Sequence, residues 1–310
     1  MKTMKWLIRR EFFEHRGMFI KAPVIVGLLI VLLVGIGVVS GVGESHQGND
    51  SYDLLPGSEK VRLILNTAYM ASFAPLFLMQ SVVLFFYSLS TLHSERTDRS
   101  ILFWKSLPIS DSMTVISKLI TALICVPLIT LVVTTITSLL LILIMCVTLA
   151  FKGFNLFSIV FFTSTVYSTP LQVLAILPVY IIWALPTIGW LFMVSGWARS
   201  KVFLWAVGVP LLTMTILKII TTAYRLNWDV DWLGSHVILR SVDGLFPGIW
   251  NAFNQIGAEP LMNEHQALDS GMVLKTAWWS LTAINAWAGA LCGAAMLGVA
   301  IRMRRWREDD

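Results

Sequence analysis

The sequence predicts an all-α integral membrane protein with six transmembrane helices in a single polytopic domain. Hydrophobic residues make up 56% of its 310 residues, and the mean hydropathy is +0.75. That is more apolar surface than one water-soluble core could bury. Six apolar stretches approach or exceed the roughly 20 residues that a helix needs to cross a bilayer. They span residues 22–42, 65–92, 119–150, 171–197, 202–223 and 276–301.

The distribution of basic residues predicts how these spans are oriented. With both termini placed in the cytoplasm, 16 of the 23 Lys and Arg residues lie on the inner side and 6 on the outer side. Cytoplasmic loops of membrane proteins carry such an excess of cations. The sequence pI of about 9.2 is therefore explained by topology, and we expect no nucleic acid partner.

Residues 1–21 are predicted to form an amphipathic interface helix. They are not a signal peptide, because Glu11 and Glu14 interrupt the positive region and the apolar stretch that follows is too long. On a helical wheel the apolar side chains share one arc, and the basic side chains form the adjoining stripe. Such a helix could anchor the chain to anionic lipid or dock a partner. The residues assigned to it are Lys5, Ile8, Arg9, Phe12 and Arg16.

The stretch at 93–118, between the second and third spans, is too polar to cross a bilayer. Asp98 is a suitable N-cap for a short helix, and Pro108 lies where that helix should end. Its cations place it on the cytoplasmic side. With an apolar edge and charged flanks it could be gripped by a soluble partner, or it could be an ordinary solvated loop helix. The candidate partner-binding residues are Glu95, Arg96, Asp98, Arg99, Ile101, Leu102, Phe103, Trp104, Lys105, Leu107 and Pro108.

The third and fourth spans are predicted to be irregular. The third has 32 residues and would reach roughly 48 Å, against a hydrocarbon core of about 30 Å. It must tilt, bend at Pro127 or protrude. Residues 154–169 are too short for a span, and we expect them at the outer interface. The fourth span carries Pro178 and Pro186 in its interior and should be kinked.

Two spans carry glycines at a spacing that allows close helix contact. In the first span these are Gly37 and Gly41. In the sixth span a row of small residues is predicted to pack tightly against another helix. The row consists of Ala286, Ala290, Ala294 and Gly298, with Gly289 and Gly293 beside it.

Lys218 is the one charge that this assignment places within a span. It could line a pathway through the membrane. It also lies within two turns of the outer end of the fifth span, so it could extend its ammonium group to the surface. Residues 224–275, which follow that span, are expected to form an outer connection with tryptophans at the membrane interface.

Catalytic and metal-binding patterns are not found. The sequence lacks the Gly-x-x-x-x-Gly-Lys-Ser/Thr loop that holds nucleotide phosphates, and it lacks His-Glu-x-x-His and Gly-x-Ser-x-Gly. Its histidines are scattered, and Cys125, Cys146 and Cys292 lie in apolar runs, so we expect neither a metal site nor a disulfide framework. No Asp or Glu lies in a predicted span, whereas ion-coupled carriers usually need one there. We expect a chain that is not an enzyme.

Four short segments carry a resemblance to a known family: Glu95-Arg96, Ile101-Leu102, Ser106-Leu107-Pro108-Ile109-Ser110 and Lys118-Leu119. In this pattern the stretch resembles the cytoplasmic loop between the second and third spans of type-2 permeases of ATP-binding-cassette (ABC) transporters. The basic N-terminus, the six spans and the long outer connection are similar to that family along essentially the whole chain. Many relatives have a Gly-Thr pair at the position of Arg99-Ser100.

The resemblance implies a permease subunit of an ATP-driven exporter in a bacterial cytoplasmic (inner) membrane. It would pair with a second permease, identical or different, and with two separate ATPase subunits that bind ATP and Mg²⁺, while this chain itself binds no cofactor. Residues 1–21 would be the interface helix and 95–108 the coupling helix. The first and fifth spans would border the pathway, near Gly37, Gly41 and Lys218. The alternatives are an ion-driven secondary carrier and a non-transporting membrane anchor or sensor.

Overall fold

A computed structural model describes the chain at residues 2–40, 57–98, 109–151, 157, 160, 164–224, 234, 244–246 and 270–306, and the structural statements below concern these residues. The helices are α1 (Lys2–Glu14), α2 (Ala22–Val39), α3 (Gly57–Thr97), α4 (Asp111–Ile120), α5 (Val126–Phe151), α6 (Ser164–Trp197), α7 (Val202–Tyr224), α8 (Ser270–Trp279) and α9 (Ile284–Trp306). A 3₁₀ turn at Ser280–Thr282 separates α8 from α9.

The structure confirms the predicted all-α membrane protein. The described residues contain helices and no strands, and six helical stretches are long and apolar enough to cross a membrane. Such helices satisfy their backbone hydrogen bonds internally, as the bilayer interior requires. These candidate spans are Gly17–Gly37, Ser72–Thr97, Asp111–Thr148, Tyr167–Trp197, Val202–Tyr224 and Ile284–Trp306.

Two helices continue further into charged sequence than hydropathy alone predicts. α3 ends at Thr97, although its apolar stretch ends near residue 92. α4 begins at Asp111, because the hydroxyl of Ser110 caps it by accepting a hydrogen bond from the Met113 amide at 3.3 Å. Both extensions bring charged side chains into helical positions.

Each of the first and third spans contains a π-helical segment shortly before a proline. The segment Gly17–Lys21 precedes Pro23, and Thr121–Cys125 precedes Pro127. Proline has no amide hydrogen, and its ring clashes with the carbonyl four residues earlier. The π turns widen the helix, with i→i−5 bonds from the amides of Ala22 and Val126, and so accommodate the proline.

The buried core of the bundle is centred on α6. Large side chains of this helix, among them Tyr180, Trp183 and Phe192, are completely enclosed. α3 and α9 pack along it. The Trp183 indole Nε1 donates a hydrogen bond to Ser280 Oγ at 3.0 Å, which satisfies the buried donor. α6 begins at Ser164, seven residues before the predicted fourth span, so residues 164–169 are helical.

Close backbone contact between α6 and α9 depends on glycine. A Cβ atom added at Gly293 would lie 2.6 Å from the Leu185 carbonyl, and one added at Gly189 would lie 2.5 Å from the Gly293 oxygen. The predicted tight packing of the sixth span is found at Ala286, which is completely buried, and at Gly293, but Ala294 and Gly298 are exposed. The packed face passes through Gly293, which was expected to lie beside the row.

Candidate functional site

Four helices meet through buried charged side chains at one end of the bundle, which we call the charged end. Their side chains are Glu11 of α1, Glu95 of α3, Lys118 of α4 and Arg304 of α9, and their exposed fractions are only 1%, 4%, 2% and 7%. Charged residues are almost never buried this deeply unless they are paired. The pairing at this end therefore defines the site.

The Lys118 ammonium group lies at the centre of the cluster. Its Nζ donates hydrogen bonds to Glu11 Oε1 at 2.7 Å and to Thr91 Oγ1 at 3.0 Å. It also lies 3.1 Å from Glu95 Oε1, within ion-pair distance. One cation therefore links the N-terminal helix to the end of the second span and the beginning of the third.

Arg304 extends the cluster to the last helix. Its Nη1 donates to Glu95 Oε2 at 2.6 Å, and its Nε donates to Asp111 Oδ1 at 3.1 Å. The Glu95 carboxylate thus lies between two cations, one on each of its oxygens. We call Glu11, Glu95, Asp111, Lys118 and Arg304 the charge network. Its hydrogen bonds involve charged groups on both sides, the class that is shorter and stronger than neutral bonds.

Aromatic side chains cover the Glu11 side of the network. The Tyr87 hydroxyl donates to Glu11 Oε2 at 3.1 Å. His15 packs edge-on against the Tyr87 ring, with centroids 5.0 Å apart, and Phe19 does so at 5.1 Å. This cover lowers the local dielectric constant and strengthens the charge pairing beneath it.

Helical spacing explains why these residues meet. Tyr87, Thr91 and Glu95 recur every four residues and so share one face of α3. Asp111 and Lys118 are seven residues apart, two turns along α4, and share the face turned toward α1 and α9.

Arg96 anchors the end of α3 to a different partner. Its guanidinium donates to the carbonyl oxygens of Ser195 at 2.5 Å and Ala198 at 3.0 Å, at the end of α6. The Ser195 hydroxyl also accepts from the amides of Leu92 and His93, both at 3.1 Å. The two charged residues Glu95 and Arg96 therefore both hold α3 to its neighbours within the protein.

The predicted coupling stretch is described only at its ends. Glu95 and Arg96 occupy the positions given above, and Asp98 is exposed in the turn that closes α3, with its amide bonded to the Ser94 carbonyl at 2.9 Å. The remaining candidates lie outside the described residues. They are Arg99, Ile101, Leu102, Phe103, Trp104, Lys105, Leu107 and Pro108.

The segment predicted as the interface helix contains α1 at Lys2–Glu14, while Gly17–Lys21 belongs to the first candidate span. The most buried face of α1 is rotated from the expected arc. Leu7 and Glu11 are buried, whereas Ile8 and Phe12 are half-buried. The basic side chains Lys5, Arg9 and Arg16 are exposed. The Arg9 guanidinium lies over the Trp6 and Phe13 rings, 5.4 and 5.5 Å from their centroids. These contacts leave a cationic and aromatic outer surface.

The predicted pathway residues are not brought together in the described chain. A Cβ at Gly37 would have no neighbour within 4 Å, Gly41 lies outside the described residues, and Lys218 is exposed. Close contact of the first span occurs instead at Gly27, where a Cβ would lie 2.6 Å from Thr137 Oγ1.

Sequence reasoning missed four members of the network, since Asp111 was given no role either. Glu11 was interpreted as an interruption of a positive segment, and Lys118 and Arg304 were counted as topology signals. A signal was present: Lys118 lies among apolar residues, within Val-Ile-Ser-Lys-Leu-Ile, where a cation needs a partner.

Comparison with family models, with curated proteins and with solved structures gives no match to this chain. The resemblance to permeases therefore depends on the residues of the chain alone.

Proposed function

We propose that this chain is the transmembrane permease subunit of an ATP-driven ABC exporter, and that the charge network transmits motion of a partner ATPase into the bundle. The observation that carries the proposal is that members of the network lie on both sides of residues 99–108 in the sequence. Glu95 and Arg96 precede this segment, and Asp111 and Lys118 follow it, all tied to other helices. A force applied to the segment would therefore reach α1, α3, α4, α6 and α9.

The sequence of the segment supports a docking role. Its apolar side chains include Phe103 and Trp104, which suit insertion into a cleft on a soluble partner. Interfaces typically depend on a few buried aromatic anchors, each worth about 2 kcal/mol or more. A coupling segment needs both such an anchor and firm attachment at its ends, and the charge network supplies the attachment.

Exposed apolar helices support assembly with a second permease. α7 buries Val202 and Ala206 but leaves most of its apolar side chains exposed. α2 likewise exposes a stripe that includes Leu32, Leu33 and Ile36. In the proposed transporter these two helices, the first and fifth spans, face the second permease across the pathway. The charge network then lies on the cytoplasmic side.

The test combines partner capture with transport. The tagged permease is purified from its native membrane in mild detergent, and the co-purifying chains are identified by mass spectrometry. We expect an ATPase subunit with a phosphate-binding loop. Phe103→Ala and Trp104→Ala together should reduce its recovery by about 30-fold or more, on a cost of about 2 kcal/mol or more for a lost aromatic anchor. Transport should be lost as well.

Asp98→Asn is the matched control, because Asp98 is exposed at the edge of the same segment. A rim-exposed ion pair is worth less than about 1 kcal/mol, so this variant should show a small, salt-dependent effect. With permease levels matched, parental partner recovery and transport in the double aromatic variant would contradict the coupling role. Transport driven by an ion gradient without ATP would replace the proposal with a secondary carrier.

A further inference from the structure

We propose that the charged end also holds a binding site for the phosphate headgroup of an anionic phospholipid. The site is a cavity of about 790 Å³ between the beginning of α4 and the end of α9. Its volume lies within the range of about 300–1,000 Å³ that is usual for small-molecule sites. The proposal does not depend on the transporter function, because it concerns the chain and its bilayer alone.

Two arginines give the cavity its charge. Arg302 and Arg305 both line it, and both are exposed on the last turn of α9. Asp111 also lines the cavity, but its Oδ1 accepts a hydrogen bond from the buried Arg304 at 3.1 Å. The lining therefore keeps a net positive charge. Arginine is suited to phosphate, because its planar guanidinium can donate two parallel hydrogen bonds.

Hydroxyl groups lie on the opposite wall. Ser110 and Ser112 line the cavity, and their Oγ atoms are 3.0 Å apart. Either hydroxyl can donate to a phosphate or glycerol oxygen without losing its neighbour, because a hydroxyl carries one donor and two acceptor positions. The cavity thus presents cations on the α9 side, and on the α4 side it presents two hydroxyl groups beside the Asp111 carboxylate that is paired with Arg304.

The remaining lining favours a lipid over a soluble phosphate. Gly298 and Ile301 line the cavity from within the candidate span Ile284–Trp306, so apolar surface continues from it toward the bilayer. Trp306 lies beside it with its ring 5.2 Å from the Arg302 guanidinium. Tryptophan and arginine together are typical of the level of the headgroups. An occupant with a phosphate and acyl chains matches both parts of the lining.

The test measures lipid binding to the purified protein in detergent by native mass spectrometry. Phosphatidylglycerol is titrated against phosphatidylcholine, with inorganic phosphate as a soluble competitor. We expect saturable binding of phosphatidylglycerol that millimolar phosphate does not displace. Arg302→Gln with Arg305→Gln should weaken it about 30-fold, on the usual contribution of a basic residue near an anionic headgroup.

Two further variants separate a defined site from general attraction. Gly298→Leu fills the cavity while keeping both arginines, and a Cβ there has no neighbour within 4 Å, so folding should be preserved. It should weaken binding at least tenfold, because the headgroup loses its space. Arg199→Gln with Lys201→Gln removes two exposed cations that do not line the cavity and should leave binding within about twofold of the parent.

Each remaining outcome would overturn the proposal. An equal loss of binding in the Arg199, Lys201 control would mean general surface attraction. Displacement of the lipid by inorganic phosphate would assign the cavity to a soluble anion. If lipid binding is not saturable and the cavity variants instead reduce recovery of the ATPase partner, the cavity is a surface that binds protein. Should the double arginine variant fail to fold, the Gly298→Leu variant decides: unchanged lipid affinity in that variant refutes the site.

Discussion

Replacement of Lys118 by methionine tests whether the charge network holds the bundle together. Methionine keeps a long, flexible and apolar side chain but removes the ammonium group that lies 2.7 Å from Glu11 and 3.1 Å from Glu95. Glu95 keeps Arg304 at 2.6 Å. Glu11 keeps the Tyr87 hydroxyl, and His15 lies 3.9 Å away, so this buried carboxylate bears most of the loss.

The expected cost follows from the burial of Glu11. Removing one partner of a buried ion pair typically costs about 3–5 kcal/mol, because a charge remains uncompensated in a medium of low dielectric constant. For a chain of this size, about 2 °C of melting temperature corresponds to 1 kcal/mol, so we expect a fall of roughly 6–10 °C. Adding Glu11→Gln to Lys118→Met should recover a large part of this loss, since the unpaired charge is then removed.

Thermal unfolding of the purified protein in one detergent provides the measurement. Lys5→Met is the matched control, because it makes the same chemical change at an exposed lysine of α1 and should change stability by no more than about 0.5 kcal/mol. The reasoning fails if Lys118→Met melts together with the parent and the control. It also fails if Glu11→Gln makes the Lys118→Met protein less stable, since that would mean that Glu11 is not the residue left unpaired.

Two further predictions concern packing and topology. Gly293→Ala should lower the free energy of unfolding by about 1–3 kcal/mol, because its Cβ would lie 2.6 Å from the Leu185 carbonyl. Gly298→Ala is the control and should melt like the parent, since a Cβ there has no neighbour within 4 Å. Equal melting temperatures of the two variants would contradict the close contact of α6 and α9. In a variant free of the native cysteines, cysteines placed at residues 51 and 263 should react with an impermeant thiol reagent outside intact cells and one placed at Ser94 should not, as the distribution of cations predicts. Labelling of Ser94 from outside would reverse the topology.

The fold was accessible from the sequence because hydropathy and helix length determine it at low resolution. Six apolar stretches predict six helices, and the structure contains six that could span a membrane. The helix ends were less accessible, since a hydropathy window stops at the first charged residues. Glu95 and Lys118 lie beyond those limits, yet both are helical, and each finds an ionic partner on another element.

The charge network could not be predicted for a related reason. It joins Glu11, Glu95, Asp111, Lys118 and Arg304 from four different helices. Apart from Lys118, which lies among apolar residues, each has an ordinary local explanation as a surface charge. The packed face of α9 was missed because small residues occupy adjacent rows of that helix. Composition cannot distinguish the row at Ala294 from the one at Gly293, and the choice depends on the crossing of α6.

Buried ion pairs are often no more stabilising than apolar residues of similar volume, so the network needs a reason other than stability. Apolar contacts between neighbouring helices have little directional preference, and lipid competes for the same surface. Hydrogen-bonded ion pairs instead specify which turn of one helix lies beside which turn of another. We infer that the network fixes the register of α1, α3, α4 and α9, two of which, α3 and α4, flank residues 99–108 in the sequence.

The Glu11→Gln, Lys118→Met double variant distinguishes a role of the ion pair in folding from a role in coupling. With its unpaired charge removed, the variant should fold and keep Phe103 and Trp104, the aromatic residues that we propose capture an ATPase partner. Its α1 and α4 would no longer be joined by the 2.7 Å ion pair, so partner movement should reach the bundle less efficiently. We expect partner recovery within about twofold of the parent but transport at least tenfold lower per ATP hydrolysed. Parental transport efficiency in a well-folded double variant would show that the ion pair between α1 and α4 has no part in coupling.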